Sequence, residues 1–209
     1  WHIARHLIAG DPSVGLAMDP DHPVFRQAAA LGHPQMFLAR RPWDDRTGRL
    51  RTQITIEEVR ALKGFFELTA ADGGRRVAIV DSADELNSAA ANALLKILEE
   101  PPARAAILLV SHRPSGLLPT IRSRCRELRC AALDPGDLSR ALIAAGSVPT
   151  AGDARLATLA GGSVAAGLDL MEGGGVDLYE EIMALLARTP IDRRRITALA
   201  AGAAGRTGT

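Results

Sequence analysis

The sequence predicts an α/β fold: a parallel β-sheet with flanking helices, followed by an all-helical segment. Three observations carry this. Val77–Val80 (VAIV) and Ile107–Val110 (ILLV) are short, wholly apolar runs, the pattern of parallel strands covered on both faces. The residues between them have helical periodicity, and strands alternating with helices build α/β sheets. After Cys130 no strand pattern recurs, and every further segment reads as helix.

Taken in order, Trp1–Ala9 is an amphipathic helix stopped by Gly10-Asp11-Pro12. Residues 10–35 are rich in Pro, Gly, Asp and His, with one short helix around Val24–Leu31. Met36–Ala39 is a buried strand, and Arg40–Arg51 a polar loop turning at Asp44-Asp45-Arg46-Thr47-Gly48. Thr55 and Glu58 have the spacing of a capping box. The helix they open buries Val59, Leu62, Phe65 and Phe66 and breaks at Asp72-Gly73-Gly74. In the next helix Asn87 caps the first free amides, and Ala90, Ala91, Leu94, Ile97 and Leu98 share one face. Pro101 and Pro102 end it, because neither can donate an amide hydrogen.

Beyond Cys130 helices are expected at 135–145, 153–160, 164–171 and 177–188, with a partial one from 191 onward. Gly161 and Gly162 end one helix and Ser163 caps the next. Gly173-Gly174-Gly175 reads as a linker.

Composition narrows the function classes. A chain of 209 residues forms one or two domains with real cores, and 3% aromatics means those cores are Ala, Leu, Ile and Val. No apolar run approaches the ~20 residues that span a bilayer, and Trp1–Ala9 lacks the form of a secretory leader, so a cytoplasmic protein with no membrane partner is expected. A net charge of +1 offers no global attraction for nucleic acid. Cys125 and Cys130 are too few for a disulfide framework or a four-ligand zinc site. His22 and His33 lie near prolines without cysteine or carboxylate company, and read as surface residues. No metal site is expected.

The chemistry-bearing positions follow one another in a fixed order. An apolar strand ends in Asp81-Ser82. A capped helix follows, with Asn92, Leu94, Leu95, Lys96 and Leu98 leading into Glu99-Glu100-Pro101-Pro102. A second apolar strand then leads to Ser111-His112 and, after Leu-Leu-Pro-Thr-Ile-Arg, to Ser123-Arg124-Cys125. This order resembles the AAA+ clamp-loader family of bacterial DNA replication, and within it the delta-prime branch.

The resemblance implies an AAA+ type parallel sheet with a helical lid domain and the start of a helical collar. The expected boundaries are 1–131 for a partial AAA+ core, 132–172 for the lid and 176–209 for the collar. In the family the phosphate-binding loop and its strand precede a helix like Trp1–Ala9. The sequence, opening at Trp1 and closing in Gly-Arg-Thr-Gly-Thr, is therefore expected to be cut at both ends. Many delta-prime relatives carry a cysteine-rich zinc module in the first third; those cysteines are absent here, so no zinc is expected.

Asp81 occupies the Walker B position that holds magnesium through water, and Ser82 stands where active relatives place the glutamate that positions the attacking water. A serine cannot act as that base, so no ATP hydrolysis in cis is expected and ATP is bound by neighbouring subunits. Asp84 and Glu85 lie further along the loop. Ser111 and His112 stand at the sensor position. Ser123, Arg124 and Cys125 match the motif whose arginine reaches the γ-phosphate held by a neighbour, where a planar, permanent charge neutralises phosphoryl oxygens. Cys125 is expected to be small and buried, not nucleophilic. Arg122, Arg124, Arg126 and Arg129 form a basic cluster suited to a subunit interface or to DNA phosphates. The implied partners are the gamma/tau and delta subunits, the sliding clamp, and primer-template DNA through the complex. Two other readings stand beside this one: an active gamma/tau-type ATPase, which Ser82 opposes, and an unrelated α/β binding module or hydrolase, for which no catalytic constellation is found.

Overall fold

The structure, a computed structural model, describes residues 1–11, 13, 15–67, 74–147, 153–187, 197, 200 and 201. It divides into two compact units, 1–127 and 128–209.

The first unit is built on a parallel sheet of three strands, β1 (Met36–Ala39), β4 (Arg76–Val80) and β5 (Ala105–Leu109), in the order β1-β4-β5. Helices α1 (His2–Ala9) and α2 (Pro23–Ala29) precede the sheet; α3 (Ile56–Glu67) links β1 to β4, and α4 (Ser88–Glu99) links β4 to β5. This is the α/β class that the apolar runs predict.

β4 lies in the middle, and its alternating side chains feed two cores. Val77 and Ile79 pack with Ala4 and Ile8 of α1, Ala28 of α2 and Met36. Ala78 and Val80 pack with Val59, Leu62 and Phe66 of α3 and with Ala90, Leu94 and Ile97 of α4. β4 is thus covered on both faces, as its unbroken apolar run requires. β5 differs from expectation in its bounds: it spans Ala105–Leu109 and not Ile107–Val110, and its residues are half-buried; among the described residues it pairs with β4 alone. Val110 lies beyond the ladder and is exposed.

The Asn87 cap is realised, and of the Thr55–Glu58 box the half in which Glu58 reaches back to the Thr55 amide. The Asn87 side chain accepts from the Ala90 amide at 2.8 Å. The Thr55 amide donates to Glu58 Oε2 at 2.8 Å, and the Thr55 hydroxyl to the same oxygen at 2.7 Å. An isolated parallel bridge, Ile54 to Leu86, ties the starts of α3 and α4 together.

The Arg40–Arg51 loop is a correction. It contains a short antiparallel hairpin, β2 (Trp43–Asp44) and β3 (Arg49–Leu50), with Trp43 opposite Leu50. The Asp44 carboxylate closes its turn by accepting from the Arg46 amide at 3.0 Å. His33 is a second correction. It is buried, with Nδ1 accepting from the Gln35 amide at 3.1 Å. His22 is spent likewise, capping α2 through the Val24 amide at 3.2 Å.

The second unit contains α6 (Pro135–Ala144), α7 (Asp153–Ala160), α8 (Val164–Glu172) and α9 (Gly175–Leu186) around Leu138, Leu142, Leu156, Ala157, Ala160 and Val176. Between α7 and α8, Gly162 is at φ +71°, and a Cβ there would stand 2.6 Å from the Leu133 carbonyl oxygen. Ser163 caps α8 through the Ala166 amide at 3.3 Å. The triplet Gly173-Gly174-Gly175 is a tight corner and not an open linker. Gly174 is at φ +63°, a Cβ on Gly175 would meet Leu170 Cδ2 at 2.6 Å, and Val176 joins the core of α6–α8. The helix break at Asp72-Gly73 lies outside the described residues, as does most of the helix expected from 191 onward.

Candidate functional site

Parallel strands bring their carboxyl ends to one edge of the sheet, where open α/β sheets place their ligands. Val80 and Leu109 are register partners, so Asp81-Ser82 and Ser111-His112 emerge side by side. The structure brings these four residues together at the end of β4 and β5.

Asp81 is exposed, and its carboxylate accepts from the Ser82 amide at 3.1 Å. Ser82 adopts φ 48°, ψ 82°, in the left-handed region. Such a conformation strains a non-glycine residue and is retained where the surroundings enforce it. Here the enforcement is visible: the Ala83 amide donates to the Val110 carbonyl at 2.7 Å, and the Glu85 amide to the Ser82 carbonyl at 2.8 Å. The turn is stitched to the neighbouring strand end immediately after Ser82.

Neither remaining acid of this loop is free. The Asp84 side chain is 4% exposed, lies 3.6 Å from the Arg113 guanidinium, and accepts from the His112 amide at 3.1 Å. Burial pushes its carboxyl up, but the His112 amide and its own amide outweigh burial and hold it below the ordinary carboxylate range. The Ser111 Oγ is buried and has no hydrogen-bond partner among the described residues. Glu85 pairs with Arg41 at 3.0 Å. Asp84 and Glu85 therefore act as fasteners, and His112, exposed, contributes its backbone amide to the same weld.

The Ser123-Arg124-Cys125 turn closes a separate short helix, α5 (Pro119–Arg122). Pro119 starts it at a position where no amide is needed. Ile121, 1% exposed, anchors it in the core beside α4. The Ser123 amide donates to the Pro119 carbonyl at 2.9 Å, and its hydroxyl to the Thr120 carbonyl at 3.1 Å.

Arg124 follows with its guanidinium held at two points. Nη1 donates to the Thr120 carbonyl at 3.0 Å, and Nη2 lies 2.9 Å from Glu99 Oε1. The side chain remains 37% exposed. Arg122, the last residue of α5, and Arg126, just after the turn, are both exposed. Cys125 corrects an expectation. The residue is exposed and not buried, yet partial burial of its thiol raises the pKa, which leaves it a poor nucleophile at neutral pH.

The helix motif supplies the platform. Leu94 is fully buried, Leu95 and Leu98 pack at the edge of the core, and Asn92, Lys96, Glu99, Glu100 and Pro101 face outward. Sequence reasoning singled out Glu99 and Arg124 separately and missed their pairing. It also missed the buried Asp84. The only signal for the anchor is Ile121, one apolar residue inside a polar run.

A cleft of ≈ 590 Å³ lies at the end of β1, lined by Ala39, Arg41, Pro42, Trp43, Leu50 and Glu58 among others; Asp81, Ser111 and Arg124 do not line it. Among the described residues no cluster of His, Cys, Asp and Glu could hold a metal ion, and no helix is long and apolar enough to cross a membrane.

Comparison with known proteins finds the following similarities. The sequence model of a family described as "DNA polymerase III, delta subunit" matches residues 17–134. A Pseudomonas aeruginosa protein named DNA polymerase III subunit delta' is 52% identical over 77 residues, 37% of this chain and 24% of the relative. Its Escherichia coli namesake is 37% identical over 139 residues, 66% of this chain and 41% of the relative. A Salmonella typhimurium DNA polymerase III subunit tau is 39% identical over 83 residues, 40% of this chain and 13% of the relative. The chain thus spans less than half the length of each of these relatives.

Proposed function

Because the chain belongs to the DNA polymerase III delta-prime subunit family of DNA replication, we propose that it is a non-hydrolysing clamp-loader subunit that presents Arg124 to ATP bound by a neighbouring subunit. The observation that carries this reading is Arg124 itself. It stands on a turn anchored by Ile121, 37% exposed, with its guanidinium oriented by Thr120 and Glu99. A fixed planar cation of this kind is what a phosphoryl group accumulating charge requires of a neighbour.

The absence of hydrolysis in cis rests on Ser82. No carboxylate occupies the residue after Asp81, and the two acids beyond it are engaged with His112, Arg113 and Arg41. ATP would therefore be held by gamma/tau-type partners. The delta subunit, the sliding clamp and primer-template DNA would be further partners of the assembly, and the work of the assembly would be clamp loading in the cytoplasm. In this reading the first unit serves as the partial AAA+ core, and the helices that follow as the lid and the start of the collar.

A gamma/tau-type ATPase is the second reading, favoured by the 39% identity to a tau subunit and opposed by Ser82. The experiment that separates the two is ATP turnover by the isolated full-length subunit. The delta-prime reading expects none above background, and none from Ser82→Glu alone, since one carboxylate does not make a nucleotide site. Robust turnover by the wild-type subunit would move the protein to the ATPase class.

A further inference from the structure

Resting on the reading of Arg124 as a trans-acting finger, we propose that Glu99 is its positioning residue. The carboxylate at the end of α4 sets the plane and reach of the guanidinium before a neighbour's nucleotide arrives.

The geometry is a two-point hold. Thr120 takes one terminal nitrogen through a backbone carbonyl and Glu99 takes the other through Oε1, at 3.0 and 2.9 Å. A single contact would leave a flexible arginine free to pivot. Two contacts on different nitrogens of a planar, delocalised group fix its orientation, and the side chain still stays 37% exposed. Both anchors are themselves rigid. Thr120 lies in the helix pinned by Ile121, and Glu99 is the last residue of a helix capped by Asn87 and seated on the core through Leu94 and Ile97. The carboxylate also neutralises part of the charge that Arg122, Arg124 and Arg126 bring close together in sequence.

A half-exposed ion pair contributes little to folding, so stability does not account for it. Orientation does. Fixing a reacting group in its working geometry lowers the activation barrier, and small misplacements are costly. Glu99 and Glu100 are adjacent carboxylates of the same motif; the structure assigns the positioning role to Glu99, whose Oε1 is the atom that meets Arg124.

The test uses the full-length subunit in the reconstituted clamp-loader complex, with ATP hydrolysis measured in the presence of clamp and primed DNA. Four variants are compared at equal assembly, checked by size: Glu99→Ala, Glu99→Asp, Glu99→Gln and Arg124→Ala, with the double Glu99→Ala/Arg124→Ala. Glu99→Ala is expected to lower kcat by about 3- to 10-fold with KM for ATP nearly unchanged, because a step made in the transition state is lost and not nucleotide affinity. Glu99→Asp keeps the charge but loses reach, and should fall similarly. Should Glu99→Ala fail to assemble, Glu99→Asp carries the decision. Glu99→Gln retains an acceptor oxygen and should restore most of the rate. The double variant should be no slower than Arg124→Ala alone, the non-additivity of two groups acting as one unit.

If Arg124→Ala is slow while Glu99→Ala and Glu99→Asp turn over like wild type, positioning by Glu99 is wrong and the finger reading stands. A faster Glu99→Ala would show that the carboxylate competes with phosphate, and would equally overturn the proposal. Wild-type rates for Arg124→Ala would remove the finger reading, and this inference with it.

Discussion

Replacing Asp84 tests whether the loop after β4 is welded to the loop after β5 as the structure describes. Two contacts are at stake. The Arg113 guanidinium lies 3.6 Å away on a side chain that is 78% exposed, and such a pair is worth at most about 1 kcal/mol. The His112 amide donates at 3.1 Å to a charged, buried acceptor, a bond worth about 1.5–3 kcal/mol when lost. Asp84→Ala should therefore cost about 2–3 kcal/mol, which for a chain of this size lowers Tm by roughly 4–12 °C. Asp84→Asn keeps an acceptor and should cost about 1 kcal/mol.

The pH dependence has a definite sign. The folded carboxyl titrates below its ordinary value, so its charge stabilises the fold above the unfolded pKa of about 3.9 and that contribution is lost as pH falls through the folded value. The gap between wild type and Asp84→Asn should be full at pH 7 and should close below about pH 4. Urea unfolding followed by far-UV circular dichroism is the assay, since Trp1 and Trp43 are half-exposed and report poorly on the core. A gap below about 0.5 kcal/mol at pH 7, or one of equal size at pH 3, would refute the reasoning.

Two further outcomes concern the platforms under the two units. Leu94→Ala, at a fully buried site between α4 and the sheet, should destabilise the first unit by about 2–5 kcal/mol in the same unfolding experiment. Gly162→Ala must place a Cβ 2.6 Å from the Leu133 carbonyl oxygen at φ +71°, and should destabilise the helical unit by at least about 2 kcal/mol, read as faster proteolysis within 128–187.

The parts of the fold legible in the sequence are those governed by local rules. The Asn87 cap, the Thr55–Glu58 box and the Pro101-Pro102 stop each act within a turn of helix, and each stands where the spacing put it. β4 was readable because a strand buried on both faces must be apolar throughout. The β2–β3 hairpin was not, because Trp43 and Leu50 pair across it while remaining exposed, and no burial pattern marks them. The bounds of β5 were not, because Ala105 and Ala106 pair in the ladder although small residues mark no strand, while the apolar Val110 lies beyond it.

The site divides in the same way. Asp81, Ser82 and Arg124 were found by motif order. That Asp84 is buried and that Glu99 meets Arg124 are non-local facts, joining residues 28 and 25 positions apart. A charged residue reads as solvent-facing until its partner is known. The glycine triplet 173–175 misled for a related reason: composition suggested a linker, while the close approach of Leu170 makes it a corner.

The most direct measurement is ATP hydrolysis by the reconstituted complex carrying Arg124→Ala, with Arg122→Ala and Arg126→Ala as exposed neighbours in sequence. Stability and assembly should be nearly unchanged, because a half-exposed arginine adds little to either. Turnover should fall at the adjacent nucleotide site, with clamp loading falling alongside it. Arg124→Lys should recover only part, since an ammonium lacks the planar fork. The two neighbouring substitutions should matter much less. If Arg124→Ala turns over ATP like Arg122→Ala and Arg126→Ala, Arg124 is a structural member of its turn and reaches no neighbour's phosphate.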